Sequence, residues 1–153
     1  MLPMRKPYPC SPFAIYTDDA TGYTCAFRTN ALGVYCGYVG VPKTHPAHGL
    51  RYYTPWNDDA PPPSEIAVAV ENIEVHGGLT FAGCFNHEVA DFDPELWLFG
   101  FDCGHLGDGI PLLPAFSMGP LEPATYKDAA YTRAEITKLA RQLKAIEDGY
   151  AEA

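Results

Sequence analysis

Apolar and polar positions alternate along the first third of the chain with the period of two that marks half-buried strands. Tyr23-Thr24-Cys25-Ala26-Phe27-Arg28 reads as a strand on this ground, and the apolar run Val34-Tyr35-Cys36-Gly37-Tyr38-Val39-Gly40-Val41 reads as the next strand. A shorter strand begins at Phe13-Ala14-Ile15-Tyr16. Turn chemistry in Asp18-Asp19-Ala20-Thr21-Gly22 and from Asn30 to Gly33 separates the three, which predicts an antiparallel meander. Gly37 and Gly40 interrupt the third strand. Glycine there marks a bulge or a close approach by another group, either a ligand or a packed aromatic ring.

Farther along the period changes. Ser64 as a cap and Glu65 in the first turn predict a short helix over 65–72, although Ile66, Val68 and Val70 also fit strand alternation. Glu74-Val75-His76 then enters the sheet, Gly77-Gly78 bends the chain, and strands resume over Leu79 to Phe85 and Glu95 to Phe101. At the end, Ile136, Leu139, Ala140, Leu143 and Ile146 make one apolar face of a helix over 132–148. Thr132 and Glu135 have capping-box spacing, Tyr131 is placed to staple against Ile136, and Gly149 supplies a stop. That face has to be buried, and a sheet is the large partner on offer. The expectation is one α+β domain over 1–153, a mainly antiparallel twisted sheet of about five strands packed by the C-terminal helix.

Composition adds loops to this picture, with 15 Pro and 14 Gly. Residues 1–12 read as an extended Pro-rich arm, and 42–63 as a lid-like loop with little periodicity. Within it, His45 and His48 flank Pro46 and read as ordinary loop histidines rather than metal ligands. The formal charge of −9, with only 10 Lys and Arg, leaves no basic stripe for a phosphate backbone, so bulk nucleic-acid binding is not expected. Five Cys without a C-x-x-C pair read as reduced thiols of a cytoplasmic protein. Neither a signal-peptide core nor a membrane-spanning run is present, so a soluble protein without membrane contact is expected.

Candidate chemistry concentrates where the strand Trp97 to Phe101 runs into a turn. Asp102, Cys103, Gly104, His105, Gly107 and Asp108 fall within seven positions there. The segment Val75-His76-Gly77-Gly78-Leu79-Thr80 repeats the design of apolar strand, imidazole and glycines, and the two are expected to meet in space. Three readings follow. His76 and His105, completed by Asp108 or Cys103, would hold a divalent metal such as zinc, which accepts mixed N, S and O donors. Alternatively Cys103 is a nucleophile with His76 or His105 as its base and Asp102 or Asp108 orienting the imidazole, although the neighbouring carboxylates oppose a thiolate. In the third, the backbone at Gly77, Gly78, Gly104 and Gly107, together with Thr80, presents polar groups to a ligand that Tyr38 and Trp56 cover. No dinucleotide or P-loop fingerprint occurs. The purely structural alternative puts Asp102 in an Asx turn, Cys103 in the core and His105 in a satisfied loop.

Three blocks also carry a resemblance: Cys36-Gly37-Tyr38-Val39-Gly40-Val41-Pro42-Lys43, Val75-His76-Gly77-Gly78-Leu79-Thr80-Phe81, and Phe99-Gly100-Phe101-Asp102-Cys103-Gly104-His105-Leu106-Gly107-Asp108. In their order the chain resembles a family of small proteins of tailed bacteriophages and some bacterial chromosomes, from about Tyr8 to Leu143, with a longer segment from Ala60 to Glu74. The resemblance implies a phage or prophage origin and expression in a bacterial host cytoplasm, and it transfers no catalytic residues. Accessory proteins of this kind often act on nucleotide metabolism or against host defence. The expected function is therefore a His/Asp/Cys pocket for a small polar, nucleotide-like or phosphorylated ligand, with hydrolysis as the reaction class if it is catalytic. The competing class is a non-catalytic inhibitor that binds a host protein through its acidic, aromatic surface.

Overall fold

A computed structural model of the chain describes residues 13–51, 64–84, 92–105, 108 and 126–150. Five strands make one antiparallel sheet: β1 (Ala14–Thr17), β2 (Thr24–Thr29), β3 (Tyr35–Val41), β4 (Phe81–Cys84) and β5 (Trp97–Asp102). Their order is β1-β2-β3-β5-β4, so the expected meander holds for the first three and β5 inserts between β3 and β4. The β2–β3 and β3–β5 ladders run six residues each without a break, from Thr24↔Gly40 to Thr29↔Tyr35 and from Cys36↔Asp102 to Val41↔Trp97.

That regular register disposes of a bulge at Gly37 or Gly40. A Cβ on Gly37 would overlap the Phe101 ring and Ile136, and one on Gly40 would overlap Phe92. Both glycines therefore answer to packing, not to a ligand.

Two helices complete the α+β domain, α1 (Glu65–Glu71) and α2 (Ala129–Tyr150), and α2 packs on the sheet against β3. Ser64 caps α1 as expected, its Oγ accepting the Ala67 N–H at 3.1 Å. The start of α2 differs from expectation. Asp128 is the cap, with Oδ1 accepting the Tyr131 N–H at 2.9 Å, so the helix begins three residues early and Thr132 lies inside it. Thr132 is fully buried and donates to the Asp128 carbonyl, while Glu135 pairs with Lys138, so no capping box forms. Gly149 falls within the last turn and stops nothing. Nor do Glu74, Val75 and His76 enter the sheet: they lead into a turn closed by the Gly78 N–H on the Val75 carbonyl.

The main core lies between the sheet and the two helices, with Val39, Phe99, Phe101, Ile136, Leu139 and Leu143 fully or almost fully buried. A smaller cluster of Ala26, Cys36, Tyr38, Phe92 and Leu98 covers part of the opposite face. Cys25, Cys36 and Cys103 are buried and form no disulfide. The arm over 1–12 and the part of the lid-like loop over 52–63 lie outside the described residues. Its first part, 42–51, is not a lid. Successive turns pin it to the body: the Trp97 indole N–H donates to the Leu50 carbonyl, and His45 Nε2 meets the Leu143 carbonyl at 2.8 Å. The ordinary reading of His45 and His48 therefore stands. His45 Nδ1 accepts the Ala47 N–H, and His48 bonds the Glu95 carbonyl.

Candidate functional site

The two glycine-bearing turns do meet. Positive φ at Gly77 (68°) and Gly78 (80°) swings the chain round after His76, with Gly77 at the third position of the turn, where a type II turn needs φ > 0. A Cβ at Gly77 would overlap the His105 ring, so the second turn lies directly against the first and leaves room only for glycine. The His76 and His105 rings stand 5.9 Å apart.

The turn after β5 is built by its own carboxylates. Asp102 Oδ1 accepts the Gly104 N–H at 3.0 Å, the Asx turn foreseen for it. Asp108 Oδ2 accepts the His105 N–H at 3.0 Å, while the Asp108 N–H returns to the His105 carbonyl at 2.9 Å. The Asp108 side chain is only 3% exposed. A buried carboxylate has to be compensated, and Asp108 is. His76 Nε2 lies 2.6 Å from Oδ2, and Lys127 Nζ is 3.8 Å from Oδ1.

His76 is held at both nitrogens. A carboxylate can only accept, so Nε2 carries the proton toward Asp108 and, in the neutral ring, Nδ1 accepts. The Tyr131 hydroxyl donates to Nδ1 at 2.7 Å, and its ring meets the imidazole edge to face at 5.2 Å. Burial first, and then the negative charges of Glu135 and Asp108, raise the Tyr131 pKa, which keeps the phenol protonated as this chain of bonds requires. Lys127 sits 5.5 Å from the centre of the Tyr131 ring. The result is a carboxylate–imidazole–hydroxyl series, Asp108–His76–Tyr131, contributed by three separate parts of the chain. The spacing places Tyr131 as an apolar staple, and no local signal distinguishes the two roles; in the structure Tyr131 lies in the first turn of α2 and its hydroxyl meets His76.

The remaining candidates sort by distance from this series. His105 Nε2 is 3.3 Å from Asp102 Oδ1, within ion-pair range, but it is off line for a hydrogen bond and buried without a partner. Cys103 is buried beneath the turn against the Thr132 hydroxyl, and burial pushes its thiol pKa up to about 12. A thiol so held is not a nucleophile, and the nucleophile assignment is corrected on that ground. The metal set of His76, His105 and Asp108 is not assembled either. Both His76 nitrogens are committed, and among the described residues no group of three or more His, Cys, Asp and Glu side chains is placed to hold an ion.

Gly104 packs against Val34 and donates to Asp102, so its N–H is spent on the turn. The Gly78 N–H is likewise spent on Val75, and the Thr80 N–H on Gly100. Tyr38 and Thr80 do not join the histidines. They line a hollow of about 230 Å³ together with Arg28, Asn30 and Asp102, so Asp102 is the residue common to both places. Arg28, 8% exposed with its guanidinium 5.6 Å from the Tyr38 ring centre, was missed because it reads as an ordinary polar position in an alternating strand. Trp56 and Gly107 lie outside the described residues.

No family model matches the chain, and no curated protein or solved structure is similar to it. Among the described residues no helix is long and apolar enough to cross a membrane.

Proposed function

We propose that this is a phage-type accessory protein of the host cytoplasm that binds a small anionic ligand, nucleotide-like or phosphorylated, where the two turns meet, and hydrolyses it. The observation that carries the reading is His76 held between a buried carboxylate and a phenol hydroxyl at 2.6 and 2.7 Å. This is the logic of a triad, in which a buried acid orients an imidazole that manages the proton of a hydroxyl. Lys127 brings a cation to within 3.8 Å of Asp108 Oδ1, beside the series, in an otherwise acidic protein.

In such a step a water molecule beside Tyr131 adds to the phosphoryl group. Its proton passes through the Tyr131 hydroxyl to His76 Nδ1, the imidazolium is stabilised by Asp108, and the proton then leaves with the departing oxygen. Tyr131→Phe tests this most cleanly, because the ring and its packing remain and only the hydroxyl is lost. Phosphate release from a panel of nucleoside triphosphates and p-nitrophenyl phosphate is expected to fall by about 10²-fold or more in the variant, the size of a general acid–base contribution. If wild type and variant release phosphate equally slowly, hydrolysis is ruled out. If inorganic phosphate also leaves the His76 and His105 ring signals unmoved in NMR spectra, the anion site goes with it.

A second reading, inhibition of a host protein, draws support from the edge of the sheet. Phe13 is 64% exposed beside β1, with Ile15, Tyr126 and Leu32 also exposed. Binding of a host protein that survives Tyr131→Phe but is lost on Phe13→Ser would favour it.

A further inference from the structure

Between α1, the 47–51 turn and β4 lies a cavity of about 320 Å³ that the histidine series does not use. Its floor reaches the fully buried Phe99, its walls are Val70, Leu79 and Ala82, and Arg51 and Glu71 stand at the rim. Gly78 also lines it, so the cavity opens immediately beyond the His76-Gly77-Gly78 turn. Small-molecule sites are about 300–1,000 Å³, apolar, with a few placed polar groups. This one sits at the small end, sized for one ring system rather than a dinucleotide.

The rim narrows the chemistry. Arg51 and Glu71 are exposed and make no ion pair with each other or with another described residue. One offers only donors and the other, ionised, only acceptors. A plain hydrocarbon would leave both unused. A planar heterocycle with carbonyl or ring-nitrogen acceptors and N–H donors along one edge would use both, while its faces rest on Phe99, Leu79 and Val70.

We propose that this cavity seats a nucleobase-like heterocycle, with its polar edge between Arg51 and Glu71 and its apolar faces in the slot. The proposal rests on the nucleotide-like reading above and adds to it: the base binds beyond Gly78, and the phosphate end lies toward His76 and His105.

The test separates the two ends. The full-length protein is titrated with guanosine, with adenosine and with ribose 5-phosphate, and backbone amide and histidine ring signals are followed by NMR. At least one nucleoside is expected to shift the Gly78, Leu79 and Ala82 amides saturably. Ala67→Leu, which narrows the cavity from α1, should weaken that binding about tenfold or more. The exposed substitutions Arg51→Gln and Glu71→Gln, which leave the core untouched, should weaken it as well. No shift at these amides with either nucleoside overturns the proposal, as does a shift that all three variants leave unchanged. Ribose 5-phosphate reports on the histidine turn alone, so loss of the base site and loss of the phosphate site are read separately.

Discussion

Gly77 and Gly78 are adjacent, have nearly the same positive φ and differ in what surrounds them. Beyond Gly78 there is open space, whereas the position of a Gly77 Cβ is taken by the His105 ring. Gly78→Ala should therefore cost about 1–2 kcal/mol, the penalty of left-handed backbone for an L-residue. Gly77→Ala carries that penalty and must also move His105, so urea unfolding should place it lower, and the His105 ring signals should shift only in this variant. Equal stabilities with an unmoved His105 would mean that the two turns do not pack as described. Asp108 shows the same dependence on surroundings. Its residue type and spacing mark it as a candidate, but its role comes from being buried with His76 as partner.

At the scale of elements, the tie between the 42–51 turns and α2 has a pH dependence that can be worked out. His45 is buried, and burial lowers its pKa against smaller opposing effects of the Leu143 carbonyl and Glu147, with Lys144 and His48 adding to the lowering. In the unfolded chain the ring takes up a proton as pH falls through about 6.5. The folded form resists until lower pH, so below about 6.5 the unfolded state binds more protons and stability falls. Above that value the His45 contribution is fully present. Glu147, held low chiefly by the Tyr23 hydroxyl, acts in the same direction but in the carboxylate range. Urea midpoints measured at about pH 8 and about pH 5.5 should thus differ in the wild type and differ less in His45→Gln. An unchanged difference would assign the pH dependence elsewhere.

For the whole molecule the decisive contact is α2 on the sheet. Leu139 is fully buried in it, and Leu139→Ala should cost about 2–5 kcal/mol. Arg141→Ala, at an exposed position of the same helix, should change stability by no more than about 0.5 kcal/mol. Comparable losses from the two would contradict the docking of this face. The face itself was readable in advance, because Ile136, Leu139, Ala140, Leu143 and Ile146 repeat at helical spacing and all five are buried. The meander was readable for the same reason, since alternation and turn chemistry are local. So was the Ser64 cap, which needs only its own first turn.

What local pattern could not supply is everything that depends on residues distant in sequence. That β5 inserts between β3 and β4 rests on pairings such as Val39↔Phe99 and Tyr38↔Gly100, whose partners lie far apart in sequence. That Tyr131 serves His76 rather than Ile136 depends on a residue 55 positions away in sequence. The sequence by itself determined the turns that separate the first three strands, the apolar face of the last helix and the presence of two glycine turns rich in polar groups. Only the tertiary structure decided which of those groups is buried, and burial separates Cys103, a protonated core thiol, from Asp108, the carboxylate that orients His76. Desolvation and hydrogen bonding act through space, and neither is written in the spacing of residues along the chain.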